Sequence, residues 1–459
     1  MKKILYVVVF ITFVFALLPF MGNRVAKEEL RNTLDVLRSY GVDIVNETAQ
    51  EGYFTSKYQY ELHVADEHKF ANYLQNILER EIPSSIISLV THMNIGIDLE
   101  FSNFPISDFV SIDIFPTALS DELKNRLLQS DKRFAQSLDR VIQERALVYH
   151  LDFHVVNRDF EGYIKSIDIK IDSDTNIETA FLLKGVVFAG EGSLLQPSKF
   201  SIQTEELKLK IDAEEQKFYL QLAALSNQGL FESASTYDSK LHIGSIALRL
   251  KNSAGEEINT EAADFTLALA VSSHAKMASL SMKSSLGLMV LKSPGGSLGI
   301  ESFLYDISID ELDKDSFERV KKLAASMQKR GANISEEELS EAIVTLLSKG
   351  MKMDLRALEV QRISLNDSNM MQGIFSHADL KLHKREDLAQ KIKEDPSVLS
   401  ESLDLNAHIG FGKDLVALLK TEIPISAMAF GMGRAEKEEI VFDLELKSGK
   451  LKLNSKEMN

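Results

Sequence analysis

The chain has 459 residues, 68 acidic and 52 basic, giving a formal net charge of −16, with no Cys, no Trp, 23 Gly and 8 Pro. Without Cys there can be no disulfide framework, no cysteine-ligated zinc or iron–sulfur cluster, no cysteine nucleophile and no lipoprotein anchor. The length allows roughly two or three domains, low Gly and Pro with 44% apolar residues argue against a long disordered chain, and the acidic balance disfavours general nucleic-acid binding, which needs Lys and Arg to neutralise phosphates.

Residues Ile4 to Met21 read ILYVVVFITFVFALLPFM, without a charge. About 20 mostly apolar residues are enough for one helix to cross the hydrocarbon core, so this stretch predicts a single transmembrane helix. Lys2 and Lys3 precede it and place the N-terminus in the cytoplasm, although Arg24 and Lys27 on the other side weaken that asymmetry. The alternative is a cleaved signal peptide, but the run is long for one and ends in Pro19-Phe20-Met21-Gly22-Asn23 with no small-x-small site. Either reading puts the body outside the cytoplasm, in the periplasm of a bacterial-type cell, and the anchor reading makes residues 4–21 its contact with the inner membrane.

After the apolar run, helical and strand periodicities alternate. Phe70, Leu74, Ile77 and Leu78 predict a helix ending near Pro83, and Leu119, Leu123 and Leu127 predict a short one after Pro116. Period-two alternation then dominates: Ile167/Ile169/Ile171, Leu207/Leu209/Ile211, Phe265/Leu267/Leu269 and Tyr305/Ile307/Ile309. Such runs with polar partners predict antiparallel strands having one covered face and one wet face. Between Leu241/Ile243 and Ile246/Leu248/Leu250 the phase slips at Gly244-Ser245, which predicts a bulge or bend. Phe317, Val320, Leu323, Ala324 and Met327 predict a helix ending by Gly331. Ser335 and Glu338 form a capping box for another, which Gly350 closes. Strands resume at Met351/Met353/Leu355, Leu403/Leu405/Ala407/Ile409 and Phe442/Leu444/Leu446, with a final hairpin around Gly449 to Leu451/Leu453. Weaker helical stripes lie at Leu388/Ile392 and Leu415/Leu418/Leu419.

The expected fold is α+β, predominantly antiparallel β, with large curved sheets and short amphipathic helices, preceded by one N-terminal transmembrane helix. The expected divisions are a membrane anchor at 1–23, a first β-rich region at 24–310, and helices plus a C-terminal β-rich region at 311–459, with the helical stretch 311–349 as the candidate hinge.

Two segments are familiar. Leu347-Ser348-Lys349-Gly350-Met351-Lys352-Met353 leads into Leu358-Glu359-Val360, Gly373-Ile374-Phe375 and Leu380-Lys381-Leu382, and the end runs Phe442-Asp443-Leu444-Glu445-Leu446-Lys447-Ser448-Gly449-Lys450-Leu451-Lys452-Leu453-Asn454. With the short N-terminal anchor, this resembles the YdgA-like family of bacterial envelope proteins. The resemblance implies a single-pass inner-membrane protein with a large periplasmic β-rich body, and it carries over no catalytic residue. It departs from the family at Asn454-Ser455-Lys456, where members tend to have Asn-Gly.

Motifs that carry chemistry are few. On a strand, His150, Asp152 and His154 share a face and offer a partial metal-ligand set; the plainer reading is a wet face. His63 and His68 flank Asp66-Glu67 near a helix start, where capping explains them. Gly295-Gly296-Ser297-Leu298-Gly299 matches a nucleophile elbow, but Pro294 precedes it, period two follows it, and His377, His383 and His408 are tied to it by no pattern. Gly185, Gly190 and Gly192 lack the Gly-Lys-Ser/Thr of a phosphate loop. Asp172, Asp174 and Asn176 alternate like calcium ligands without the rest of an EF-hand, and Asx-turn chemistry accounts for them. No catalytic, cofactor or metal residues are therefore assigned, and no cofactor is expected. The expected function is a non-catalytic, membrane-anchored scaffold or assembly role, with an envelope protein or a second copy as partner and no nucleic acid. The alternative is binding or transfer of an apolar ligand such as lipid, for which the Leu/Ile strand faces and Met277, Met282 and Met289 could line a groove.

Overall fold

The computed structural model describes Arg24 and residues 27–458, apart from 79–83, 105–108, 176, 194–196, 234, 328–334, 367, 386, 389–390, 392–397 and 424–425. The apolar segment 4–21, and with it the predicted transmembrane helix, lies outside the described residues. Among the described residues, no helix is long and apolar enough to cross a membrane. The fold is mainly antiparallel β with a few helices, and it divides into two compact units, Met1–Lys217 and Phe218–Asn459.

The first unit is an up-and-down meander. A helix at 27–39 (α1) leads into β1 (Val42–Glu51), which pairs with β2 (Thr55–Val64), then β3 (Met93–Ser102), β4 (Phe109–Leu119) and β5 (Tyr149–His154) in sequence order. The next two positions in the sheet are interrupted strands. β6 (Asp159–Ile164) and β7 (Ile167–Asp172) pair with β9 (Val186–Gly192) and β8 (Glu178–Lys184) respectively, and β10 (Pro197–Asp212) spans both β9 and β8. The break between β8 and β9 is Gly185, at φ +66°, where a Cβ would lie 2.2 Å from the Glu205 side chain.

β2 shows why the chain folds this way. Ser56, Tyr58, Tyr60, Leu62 and Val64 are all buried, at strict period two. Their apolar members form a core with Leu34 of α1, Val42 and Phe101. The helices lie at one end of the strands: α2 (Glu67–Leu78) and α3 (Ser84–Thr91) connect β2 to β3, while α4 (Asp121–Ser130) and α5 (Lys132–Gln143) connect β4 to β5. Ser120 and Asp131 cap α4 and α5, accepting from Leu123 N–H at 3.3 Å and Phe134 N–H at 2.9 Å.

The second unit repeats the meander with longer strands. β11 (Lys217–Ser233) lies beside β12 (Thr236–Lys251) through contacts of Asn227 with Ser239 and of Tyr219 with Arg249. β13 (Glu257–His274), β14 (Met277–Ser293), β15 (Gly296–Asp313), β16 (Met351–Leu365), β17 (Met371–Leu382) and β18 (Leu403–Gly412) then pair consecutively. β20 (Glu439–Lys447) follows β18, and its other edge is shared by the short β19 (Arg434–Glu436) and β21 (Lys450–Leu453), beyond which β22 (Lys456–Glu457) ends the sheet. An 18-residue strand such as β13 is about 60 Å long.

Helices α6 (Lys314–Met327) and α7 (Glu336–Ser348) form an excursion between β15 and β16, which pair directly. The position 310–311, where the helical texture begins, thus falls inside the second unit. Ser335 caps α7 by accepting from Glu338 N–H at 3.1 Å, and Gly350, at φ +85°, ends it. Both helices pack on one end of the sheet, with Ala278, Leu312 and Leu346 buried among Ile309, Phe317, Val320 and Met351. A third helix, Lys413–Glu422, buries Leu415 and Val416.

The phase slip at Gly244-Ser245 belongs to a line that runs across five strands, from β11 to β15. Ala224 in β11, Asp264 in β13 and Ser302 in β15 have φ of +51°, +56° and +59°. The strands between them carry glycine there: Gly244 in β12 lies opposite Asp264, and Gly287 in β14 lies opposite Ser302. A Cβ on Gly244 would sit 2.8 Å from that of Ala224, and one on Gly287 would sit 3.2 Å from that of Asp264. A residue turned left-handed leans its Cβ toward the next strand, and only glycine leaves room for it.

Candidate functional site

Polar side chains gather at two places, one on each unit. In the first, the β4–β5 register sets His150 opposite Asp113. Nδ1 of His150 lies 2.6 Å from Asp113 Oδ1, and Nε2 lies 3.1 Å from Asp152 Oδ2. The Tyr163 ring stacks on the imidazole at 4.6 Å. Burial works against protonation of His150, but the hydrogen bonds and negative charges of Asp113 and Asp152 outweigh it and raise the imidazole pKa. The second oxygen of Asp152, Oδ1, is buried without a hydrogen-bond partner. His150 and Asp152 thus share a face as the alternation requires, while Leu151, between them, is in the core on the other side. The predicted trio does not converge: the His150 partners are Asp113 and Asp152, and His154 lies at the strand end opposite Asp159.

In the second unit, His377, His408 and Asp443 form one row across β17, β18 and β20. Nδ1 of His408 is 2.6 Å from Asp443 Oδ1, the two imidazoles are 5.0 Å apart, and Arg434 reaches Asp443 Oδ2 at 3.0 Å. The hydrogen bond from His408, together with the nearby Arg434 charge, holds the Asp443 carboxyl below its usual range. Among the described residues, no group of three or more His, Cys, Asp or Glu is arranged to hold a metal ion.

The remaining motif residues sit in structural roles. Ser297 opens β15 across a hairpin from Lys292, and a long strand follows it where an elbow needs a helix. Asp174 accepts from Lys132 N–H at 2.8 Å, at the start of α5. Asp172 closes the β7–β8 pair opposite Glu178, and Asn176 lies outside the described residues. His63 bonds Asn94 at 3.1 Å across β2 and β3, and Asp66 accepts from Lys69 N–H at 3.0 Å at the start of α2.

In the second unit, apolar side chains align in rows across the strands. Directly opposed residues of antiparallel strands share a face, so Leu269, Met282, Ile307, Leu355, Ala378, Ala407 and Leu444 lie in one row running from β13 to β20. Beside it runs a second row, with Leu241, Leu267, Tyr305, Leu358, Ile409 and Phe442. Beyond the glycine line, Met289, Ile300 and Ile363 continue the pattern. Most of these side chains are half-buried, and Leu358 is 36% exposed. Of the three methionines expected to line a groove, Met282 and Met289 lie in these rows, while Met277 is 53% exposed at a turn. Salt bridges such as Lys283–Asp306 and Arg356–Asp306 occupy the alternate positions.

Comparison of the chain with protein-family models, with curated proteins and with solved structures finds no match in any of the three.

Proposed function

We propose that this is a non-catalytic, membrane-anchored protein of the bacterial cell envelope, and that its second unit holds an apolar ligand such as the acyl chains of a lipid along the apolar face of its sheet. The observation that carries this reading is the row from Leu269 to Leu444, which crosses seven strands without a charged side chain. At about 4.8 Å between strands, such a row is roughly 29 Å wide, long enough to take an extended acyl chain along it. The flexible thioethers of Met282 and Met289 suit a ligand of variable shape. The non-catalytic part is supported by the roles of the polar motif residues, which cap helices or tie neighbouring strands together. The inner membrane as its location rests on the charge-free run 4–21 and on the likeness to YdgA-like proteins.

The test is native mass spectrometry of the full chain extracted gently from its own membrane, with lipid extraction of the same sample. Stoichiometric lipid that is lost in a Leu267→Asp, Met282→Asp variant supports the reading. A lipid-free chain overturns it and leaves the scaffold or assembly role, in which the long sheet and its edges meet another protein.

A further inference from the structure

The two ends of the first unit differ in chemistry. At one end the strands are joined by α2 to α5. At the other, the β1–β2 and β5–β6 connections are short turns, and both carry apolar side chains. The β1–β2 turn presents Tyr53 and Phe54, 42% and 63% exposed, and the β5–β6 turn presents Val155 and Val156, 53% and 71% exposed. Registers place both turns at the same end: Thr55 pairs with Ser102, Phe101 with Val110, and Phe109 with His154. Four strand spacings separate them, about 19 Å. The β1–β2 turn is also firmly built. The Phe54 ring stacks on Phe104 at 5.7 Å, and Asn103, itself buried, donates to the Gly52 carbonyl at 2.6 Å. Large apolar side chains at the tips of rigid turns are costly to leave in water.

Helix α1 says what they face. Its first turn is tied to this end, because Lys27 is paired with Glu51 at the close of β1. Its last turn is tied to the opposite end, where the Gly41 carbonyl accepts from Ala65 and Asp66 N–H. Only five residues separate Lys27 from Met21, the end of the charge-free run. The six Cα–Cα steps from Lys27 to Met21 reach at most about 21 Å, so the charge-free run begins within that distance of the end of the unit that carries the apolar turns.

We propose that this end of the first unit rests on the phospholipid bilayer that residues 4–21 enter, with Phe54 and Val156 seated in its interfacial layer. The proposal rests on the anchor reading of 4–21 and adds a second, independent contact with the same membrane. The contact is apolar and aromatic, so a zwitterionic surface is sufficient.

The chain has no Trp, so a single introduced Trp reports without background. Three full-length variants, Phe54→Trp, Val156→Trp and Leu128→Trp, are placed in phosphatidylcholine vesicles carrying a shallow nitroxide-labelled lipid. Leu128 is exposed on α4 at the opposite end and serves as the control. The emission of both tip reporters should be roughly halved, as befits side chains at the headgroup level, while the control is unchanged. If the chain sediments with the vesicles and either tip reporter stays at the control level, or the control is quenched equally, the seating is overturned and the anchor stands. If the chain does not sediment with the vesicles, the anchor reading and the proposal fall together.

Discussion

His150 sits between two carboxylates, and that placement makes its contribution to stability depend on pH. Its pKa is raised in the folded state, so the stabilisation is full below about pH 6.5, the unfolded value, and is lost as pH rises through the higher folded value. The urea midpoint of the wild type should therefore exceed that of His150→Gln by more at pH 5.5 than at pH 9; an equal gap at both would refute the linkage. Asp443 behaves in the opposite sense. Its pKa is lowered in the folded state, so the advantage of wild type over Asp443→Asn is present above about pH 4 and fades as pH falls through the depressed value. Urea titrations at pH 6 and pH 3 check it. Half of the first pair was legible in the sequence, where His150 and Asp152 stand two apart on a strand. Asp113 was not, since it lies 37 residues away and only the β4–β5 register brings it in. His408 and Asp443 escaped notice for the same reason, being 35 residues apart.

Strands and helix caps depend on local pattern, and most of them could be read from it. The period-two runs became β7, β10, β13, β15, β16, β18, β20 and β21, and the Ser335 capping box opens α7 as expected. Ser335→Ala should cost about 1 kcal/mol, seen as faster amide hydrogen exchange in the first turn of α7 with the sheet unchanged. Pro116 misled in one respect. Read as a helix boundary, it is inside β4, where the register with β3 shifts; a bulge tolerates the missing N–H. Helices α3 and α5 were not anticipated. The first, SSIISLVT, is short and rich in residues that suit strands equally well. The glycine line was read on β12 alone, because its left-handed members, Ala224, Asp264 and Ser302, are ordinary residues whose backbone no pattern announces. Gly244→Val should destabilise the second unit by about 2 kcal/mol, as overpacking against the Ala224 Cβ of the neighbouring strand does, whereas Asp264→Gly should be tolerated because glycine adopts that φ freely. Thermal unfolding of the two variants side by side decides it, and equal losses would contradict the packing account.

On the scale of the molecule, the sequence conveyed the class of fold through the sheer number of alternating runs. It did not convey where the units divide, because the strands on both sides of Lys217 share one texture and no Pro- or Gly-rich linker marks the change. Nor could it distinguish a closed core from an open face, since alternation looks the same in both. That difference depends on which elements lie over the apolar rows, and α6 and α7 pack at one end of the sheet.

The order of pairing has a consequence for how such a body is made. In each meander nearly every strand lies beside the one before it in the chain, so contacts close over short loops and little entropy is lost in bringing distant segments together. A sheet of this kind can grow one strand at a time as the chain emerges, each new strand finding its partner already in place. Its risk lies at the advancing edge, which is open to pairing with another chain until the next strand arrives. The direct pairing of β15 and β16 around α6 and α7 marks the longest such wait in the second unit: 37 residues must pass between Asp313 and Met351 before that edge is covered.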